Sequence, residues 1–289
     1  MSETPVDTRV VGEGADAITY DVRGDLADAT PDRPVLMLIG SPMDASGFGT
    51  LASHFTDRPV VTYDPRGAGR NPTDTAPLTP EQHAADLHRV IQALAAGPVD
   101  LFATSGGAVN ALRLVESHPD DVRRLVAHEP PTAALLPDRD RLLAACEDVV
   151  ATYRSAGHGP AMAKFIALGM YDGELPVDYI DRPAPDPAQF GMSAEDDGNR
   201  ADPLMRNFPA CNLYTPDAAA LGALGDRLVV VVGKNSGETM AARGARSVAA
   251  AVGVQASEFA GDHGGFLGGE YGQMGEPDAF AADLRAALA

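Results

Sequence analysis

Short apolar runs alternating with longer amphipathic segments are the feature that most narrows what this chain can fold into. Val35-Leu-Met-Leu-Ile39, Val60-Val-Thr-Tyr63, Val99-Asp-Leu-Phe-Ala103, Arg124-Leu-Val-Ala-His128 and Leu228-Val-Val-Val-Val232 read as buried strands, each followed closely by Gly or Pro. Near-continuous apolar strands separated by helical stretches predict a mostly parallel sheet covered by helices. Thr79-Pro-Glu-Gln82 predicts a helix start, with a Thr cap, Pro at the first position and Gln three residues on. That helix should reach about residue 96, where Gly97-Pro98 stops it. Residues 108–117, 239–252 and 277–288 carry helical spacing, 48–55 a short helix and 256–259 a short strand. Residues 8–11 and 17–22 predict an antiparallel opening hairpin.

One stretch interrupts the alternation. Between Pro131 and Leu228 about ninety residues lack a convincing strand, too many for a structureless loop. Residues 142–153 and 161–171 have helical periodicity, and 181–202, rich in Pro, Asp and Gly, reads as irregular. The division this predicts is a core of residues 1–131 and 226–289, with a helical cap, 132–225, inserted after the sixth strand.

The chain has 289 residues and a formal net charge of −19. Such acidity argues against nucleic acid and anionic membrane surfaces as partners, since both would repel it. Two cysteines, Cys146 and Cys211, make no disulfide framework. Residues 1–8 are polar and acidic, unlike a signal peptide, and no apolar run is long enough to span a bilayer. The expectation is a cytoplasmic protein acting on a small molecule, as a monomer or homodimer.

Ser105 lies in Ala103-Thr-Ser-Gly-Gly107, directly between a predicted strand and a predicted helix. A sharp strand-to-helix turn needs small flanking residues and strains the serine backbone, which makes Ser105 a candidate nucleophile. A helix N-cap is the competing reading, since serine also favours that position. Gly106 would offer its N–H to an oxyanion at the helix N-terminus. In Gly40-Ser-Pro-Met43, proline has no N–H, so Ser41 or Met43 must supply the second donor, and Ser41 is favoured. His263, in Gly261-Asp-His-Gly-Gly-Phe266, follows the last strand, where a loop can carry an imidazole to the carboxyl edge of the sheet. Among the other histidines, His83 and His88 read as surface helix residues. His128 ends a strand at the active edge and joins the candidate pocket set.

Together, Ile39-Gly-Ser-Pro, Tyr63-Asp-Pro-Arg-Gly67, Ala103-Thr-Ser-Gly-Gly107, Val232-Gly233 and Asp262-His-Gly-Gly-Phe266 resemble the α/β-hydrolase superfamily, in its order and over nearly the whole chain. Ala127-His-Glu-Pro-Pro131, after strand six, is similar to a segment of a bacterial subgroup of serine hydrolases. The resemblance implies an eight-stranded, mostly parallel sheet, a Ser–acid–His triad and hydrolysis through an acyl-enzyme, with no metal or organic cofactor. The superfamily commonly places its acid after the seventh strand, yet Val232-Gly-Lys-Asn-Ser236 puts Ser236 there. Serine cannot supply an anion, which leaves Glu129 after the sixth strand, favoured because strand ends are rigid, or Glu238.

Met43, Phe48, Phe165, Met170 and Tyr171 are candidate pocket residues, and would suit a partly apolar substrate of small to medium size. The expected reaction is cleavage of a carboxylic ester, thioester or lactone. A non-hydrolytic lyase, cyclase or cofactor-free oxidation enzyme is the alternative, because proton abstraction tolerates a weaker triad.

Overall fold

A computed structural model describes residues 5–72 and 74–289; residues 1–4, the start of the stretch compared with a signal peptide, and residue 73 lie outside the described residues. Among the described residues eight strands form one sheet: β1 (Val6–Val11), β2 (Ile18–Arg23), β3 (Leu36–Ile39), β4 (Val60–Tyr63), β5 (Val99–Thr104), β6 (Val122–His128), β7 (Leu228–Gly233) and β8 (Ser257–Phe259), in the order β1-β2-β4-β3-β5-β6-β7-β8. β1 and β2 pair antiparallel, β2 pairs antiparallel with β4, and every later pairing is parallel. The helices are α1 (Gly49–Ser53), α2 (Pro80–Leu94), α3 (Gly106–Ser117), α4 (Arg139–Ala156), α5 (His158–Gly169), α6 (Pro203–Leu213), α7 (Ala218–Gly222), α8 (Met240–Val252) and α9 (Pro277–Leu288).

Alternation along the strands sorts side chains onto two faces. Leu101, Ala103, Val230 and Val232 join one buried cluster with Val109 and Leu112 of α3 and Val248 of α8. Phe102 and Val231 join the other, with Phe48, Phe266 and Phe280. Burying each large apolar side chain is worth roughly 1.5–3 kcal/mol, so helices on both faces are strongly favoured. The start of α2 is a capping box in which Thr79 accepts from the Gln82 N–H and the Gln82 side chain accepts from the Thr79 N–H.

Between β6 and β7 the chain is helical, as the missing strand signal required. α4 and α5 match the periodic stretches, and 181–202 contains only short 3-10 turns and irregular backbone. The helix α6 was not foreseen, nor was the short α7. Asp202 caps α6 by accepting from the Leu204 and Met205 N–H groups, and Pro203 opens it, but Pro209 inside it masks the helical pattern. Two faces of α6 enter different cores: Cys211 and Tyr214 just beyond its end belong to the main one, Met205 and Phe208 to that of the inserted helices. Both cysteines are buried free thiols. Among the described residues no helix is long and apolar enough to cross a membrane.

Candidate active site

The turn from β5 into α3 places Ser105 at φ 56°, ψ −130°, a strained conformation for a residue with a side chain. Its hydroxyl makes no capping bond to α3. The strain and the uncommitted hydroxyl are what a nucleophile needs and a cap does not. The two glycines that follow are required by close approach. A Cβ on Gly107 would lie 2.7 Å from Gly40 Cα, and one on Gly106 would lie 2.7 Å from the Ser41 carbonyl oxygen. The β3 loop is thereby pressed against the first turn of α3. The N–H groups of Gly106 and Ser41 donate to no other group among the described residues.

His263 stands on the loop after β8, and its Nδ1 lies 2.6 Å from Glu129 Oε2. An ionised carboxylate only accepts, so Nδ1 carries the proton and Nε2 is left as the basic nitrogen. Glu129 follows β6 directly, is fully buried, and sits at φ 48°, its own backbone strained. Its other oxygen, Oε1, accepts from the Gly233 N–H at 2.9 Å. Burial alone would raise its pKa. The hydrogen bond from His263, with the charge of its imidazolium, and the nearby Ser236 hydroxyl instead hold it down at about 2. Burial likewise pulls the His263 pKa down, but the bond to Glu129 and its charge outweigh this and raise it. The His263 side chain keeps 46% of its surface accessible.

The other candidate acid is engaged elsewhere. Glu238 lies on the surface and accepts from Arg246 Nη1 at 2.9 Å. Ser236 takes the place where the superfamily's acid usually sits and borders the Glu129 carboxylate. A Cβ on Gly233 would come within 2.6 Å of Ser236 Oγ and 2.8 Å of Asp262 Cα, so the end of β7 and the His263 loop meet without room for a side chain.

The candidate pocket residues separate. His128 is fully buried beneath the site, its Nδ1 2.9 Å from Thr104 Oγ1 and its ring 5.9 Å from that of His263. Burial drives its pKa down to about 4, so it is neutral. Phe48 is a core residue stacked 5.5 Å from Phe266, not a pocket wall. Met170 is 70% exposed, and Phe165 packs edge-on against Phe208. Met43 is half-buried beside Gly40. Tyr171 lines a cleft of about 220 Å³ within the inserted helices, walled also by Asp148, Lys164 and Tyr179. Ser105, Glu129 and His263 do not line that cleft.

His83, expected on the surface, is instead 1% exposed on α2. Sequence reasoning also missed Asn207 of α6, whose Nδ2 donates to Ser41 Oγ at 2.8 Å. No local pattern could reveal a contact between residues so far apart in the chain.

His88, His118 and Asp121 bring possible metal-ligand atoms within 4.8 Å of one another. His88 Nδ1 and Asp121 Oδ2 are 2.6 Å apart, a hydrogen-bond distance, whereas two ligands at about 2.1 Å from a tetrahedral ion sit wider than this. The two imidazoles stack with centroids 3.9 Å apart. The cluster lies at the carboxyl end of α3, away from Ser105.

A strained serine between a parallel strand and a helix, with a histidine and a buried glutamate at the same sheet edge, marks a protein of hydrolase type. The chain belongs to the alpha/beta hydrolase fold family, whose model matches residues 33–228. It is 34% identical over 123 residues to YraK, an uncharacterized hydrolase of Bacillus subtilis (strain 168). That match spans 41% of this chain and 43% of YraK, less than half of the relative's length. The enol-lactonase of Burkholderia xenovorans LB400 superposes with a TM-score of 0.62 at 18% identity, covering 94% of this chain and 96% of its own. An esterase from Exiguobacterium antarcticum gives 0.63 at 20%, covering 94% and 95%. At these identities the structural likeness establishes the fold alone.

Proposed function

We propose that this protein is a serine hydrolase that cleaves a carboxylic ester, thioester or lactone through an acyl-enzyme. The observation that carries the reading is the 2.6 Å contact between His263 and Glu129, at the same sheet edge as a strained Ser105 whose hydroxyl caps nothing. Ser105 Oγ attacks the carbonyl carbon while His263 Nε2 takes the hydroxyl proton. Glu129 holds the proton on Nδ1 and stabilises the imidazolium. The N–H groups of Gly106 and Ser41 receive the oxyanion, each worth about 3 kcal/mol of barrier. Collapse breaks the acyl C–O or C–S bond as His263 gives its proton to the alcohol or thiol, which leaves, or in a lactone to the ring oxygen, which stays on the acyl chain as a hydroxyl. His263 then draws a proton from water, whose oxygen attacks the acyl carbon; collapse breaks the bond from that carbon to Ser105 Oγ, His263 returns the proton to Oγ, and the carboxylic acid is released.

The segment 132–225 acts as a cap that selects the substrate. The names of the lactonase and the esterase with similar folds agree with ester chemistry. The Glu129 contact favours hydrolysis over the lyase or cyclase alternative, which drew its weight from a missing acid. The test is a panel of 4-nitrophenyl esters, thioesters and lactones assayed with the native protein and with Ser105→Ala. Turnover of at least one class, lost in Ser105→Ala, supports the reading; turnover that survives the substitution overturns it.

A further inference from the structure

The oxyanion donor proposed at Ser41 is not held by the main domain alone. Asn207 is 2% exposed, and its Nδ2 donates to Ser41 Oγ at 2.8 Å. A Cβ on Gly106 would lie 3.3 Å from that same Nδ2, 2.7 Å from the Ser41 carbonyl oxygen and 3.4 Å from Cys211 Sγ. The amide of Asn207, the oxyanion loop and the first turn of α3 therefore meet at one point.

Asn207 also lies on the helix that joins the two cores. Met205 and Phe208 on one side of α6 pack with the inserted helices, Phe208 edge-on to Phe165 with centroids 5.1 Å apart. Cys211 and Tyr214 on the other side pack with the main core. Arg206, the preceding residue, binds the Ala76 carbonyl at 2.8 Å and Asp74 at 2.6 Å, pinning α6 to the loop before α2. Two packed cores and an ion pair thus set where Asn207 stands. A shift in the inserted helices must move the group that holds Ser41.

We propose that Asn207 is a positioning residue for the oxyanion hole, carrying the seating of the inserted helices to the Ser41 main chain through its bond to the Ser41 hydroxyl. Without that bond the Ser41 hydroxyl is left buried and unpaired and its loop is free to rotate. Catalysis is sensitive to such movement, since a misplacement of about 1 Å can cost roughly a hundredfold in rate. The effect belongs to the transition state, where the oxyanion forms, so it should appear in kcat and leave KM little changed.

This inference rests on the serine-hydrolase reading, and the two can fail separately. Using the best ester found for the native protein, kcat and KM are measured for Asn207→Leu, which keeps the volume, for Ser41→Ala, which removes the other end of the bond, and for the double variant. The expected result is a fall in kcat of roughly tenfold to a hundredfold in each single variant, KM within about twofold, and no further loss in the double variant. Thermal unfolding of each variant shows whether it is folded, and Ser41→Ala alone carries the test should Asn207→Leu not fold. If folded single variants retain native kcat, or if their losses multiply in the double variant, the positioning role is overturned. If Ser105→Ala keeps its activity, the hydrolase reading itself has failed.

Discussion

Glu129 reaches His263 Nδ1 from the end of β6 at 2.6 Å and is tied by its second oxygen to the Gly233 N–H at 2.9 Å. The Gly233 amide is at the very end of β7, so the carboxylate arrives from one strand over and is anchored beside the position Ser236 occupies.

Glu129→Gln keeps the shape but removes the charge and can impose the wrong imidazole tautomer. In the proposed mechanism kcat should fall by about a thousandfold or more, with substrate binding retained. Glu238→Gln, which only removes the surface charge paired with Arg246, should leave kcat within about twofold. Steady-state kinetics of both variants on one ester check this; a large loss in Glu238→Gln with a small one in Glu129→Gln would reverse the assignment.

The pH profile should carry the signature of the raised His263. The base works only when neutral, so kcat/KM should climb with pH, with a midpoint above the ordinary histidine value of 6.5. In Glu129→Gln the stabilising charge and the charge-assisted hydrogen bond are gone, so the midpoint of the residual activity should move down. A native midpoint at or below 6.5 contradicts the coupling.

Stability should fall early in acid. His83 and His128 are both held near 4 in the folded state by burial, against 6.5 when exposed. Below 6.5 the unfolded chain binds protons that the folded one refuses, so stability present above that pH is lost as pH drops towards 4. Each histidine contributes a loss of about 3 kcal/mol over the window. Glu129, depressed to about 2 from 4.5, adds a further loss between those values. Denaturant titrations from pH 7.5 to 4.5 measure the slope, and His83→Leu should make it shallower.

Gly107→Ala tests the close packing of the elbow. Its Cβ would meet Gly40 backbone atoms at 2.7 and 2.8 Å, and backbone cannot move aside as a flexible side chain can. The variant should lose about 1–3 kcal/mol of stability and most of its activity, because the displaced loop carries the proposed Ser41 donor. Urea midpoints and ester turnover measure the two effects.

Much of this architecture was legible in the sequence because strands buried on both faces leave unbroken apolar runs, as in Val60-Val-Thr-Tyr63 and Leu228-Val-Val-Val-Val232. The turns that carry Ser105 and His263 were readable because they need Gly at fixed places. The contact of Glu129 with His263 was visible only as one of two options, since the choice depends on which strand end faces the imidazole. What escaped was what tertiary packing decides: α6, whose Pro209 hides its pattern; His83, which a helix buries although its type is usually exposed; and Asn207, which meets Ser41 only through the fold. Phe48 looked like a pocket residue because apolarity alone cannot tell a cavity wall from a core filled by Phe266.

The central claim is that the Ser105 hydroxyl is a nucleophile activated by His263. A fluorophosphonate reacts with such a serine and stays attached, so incubation followed by mass spectrometry of the digested protein locates it. The account predicts one adduct, on Ser105, formed slowly in Glu129→Gln and absent in His263→Ala. An unlabelled Ser105 in active protein, or equal labelling with and without His263, would contradict it.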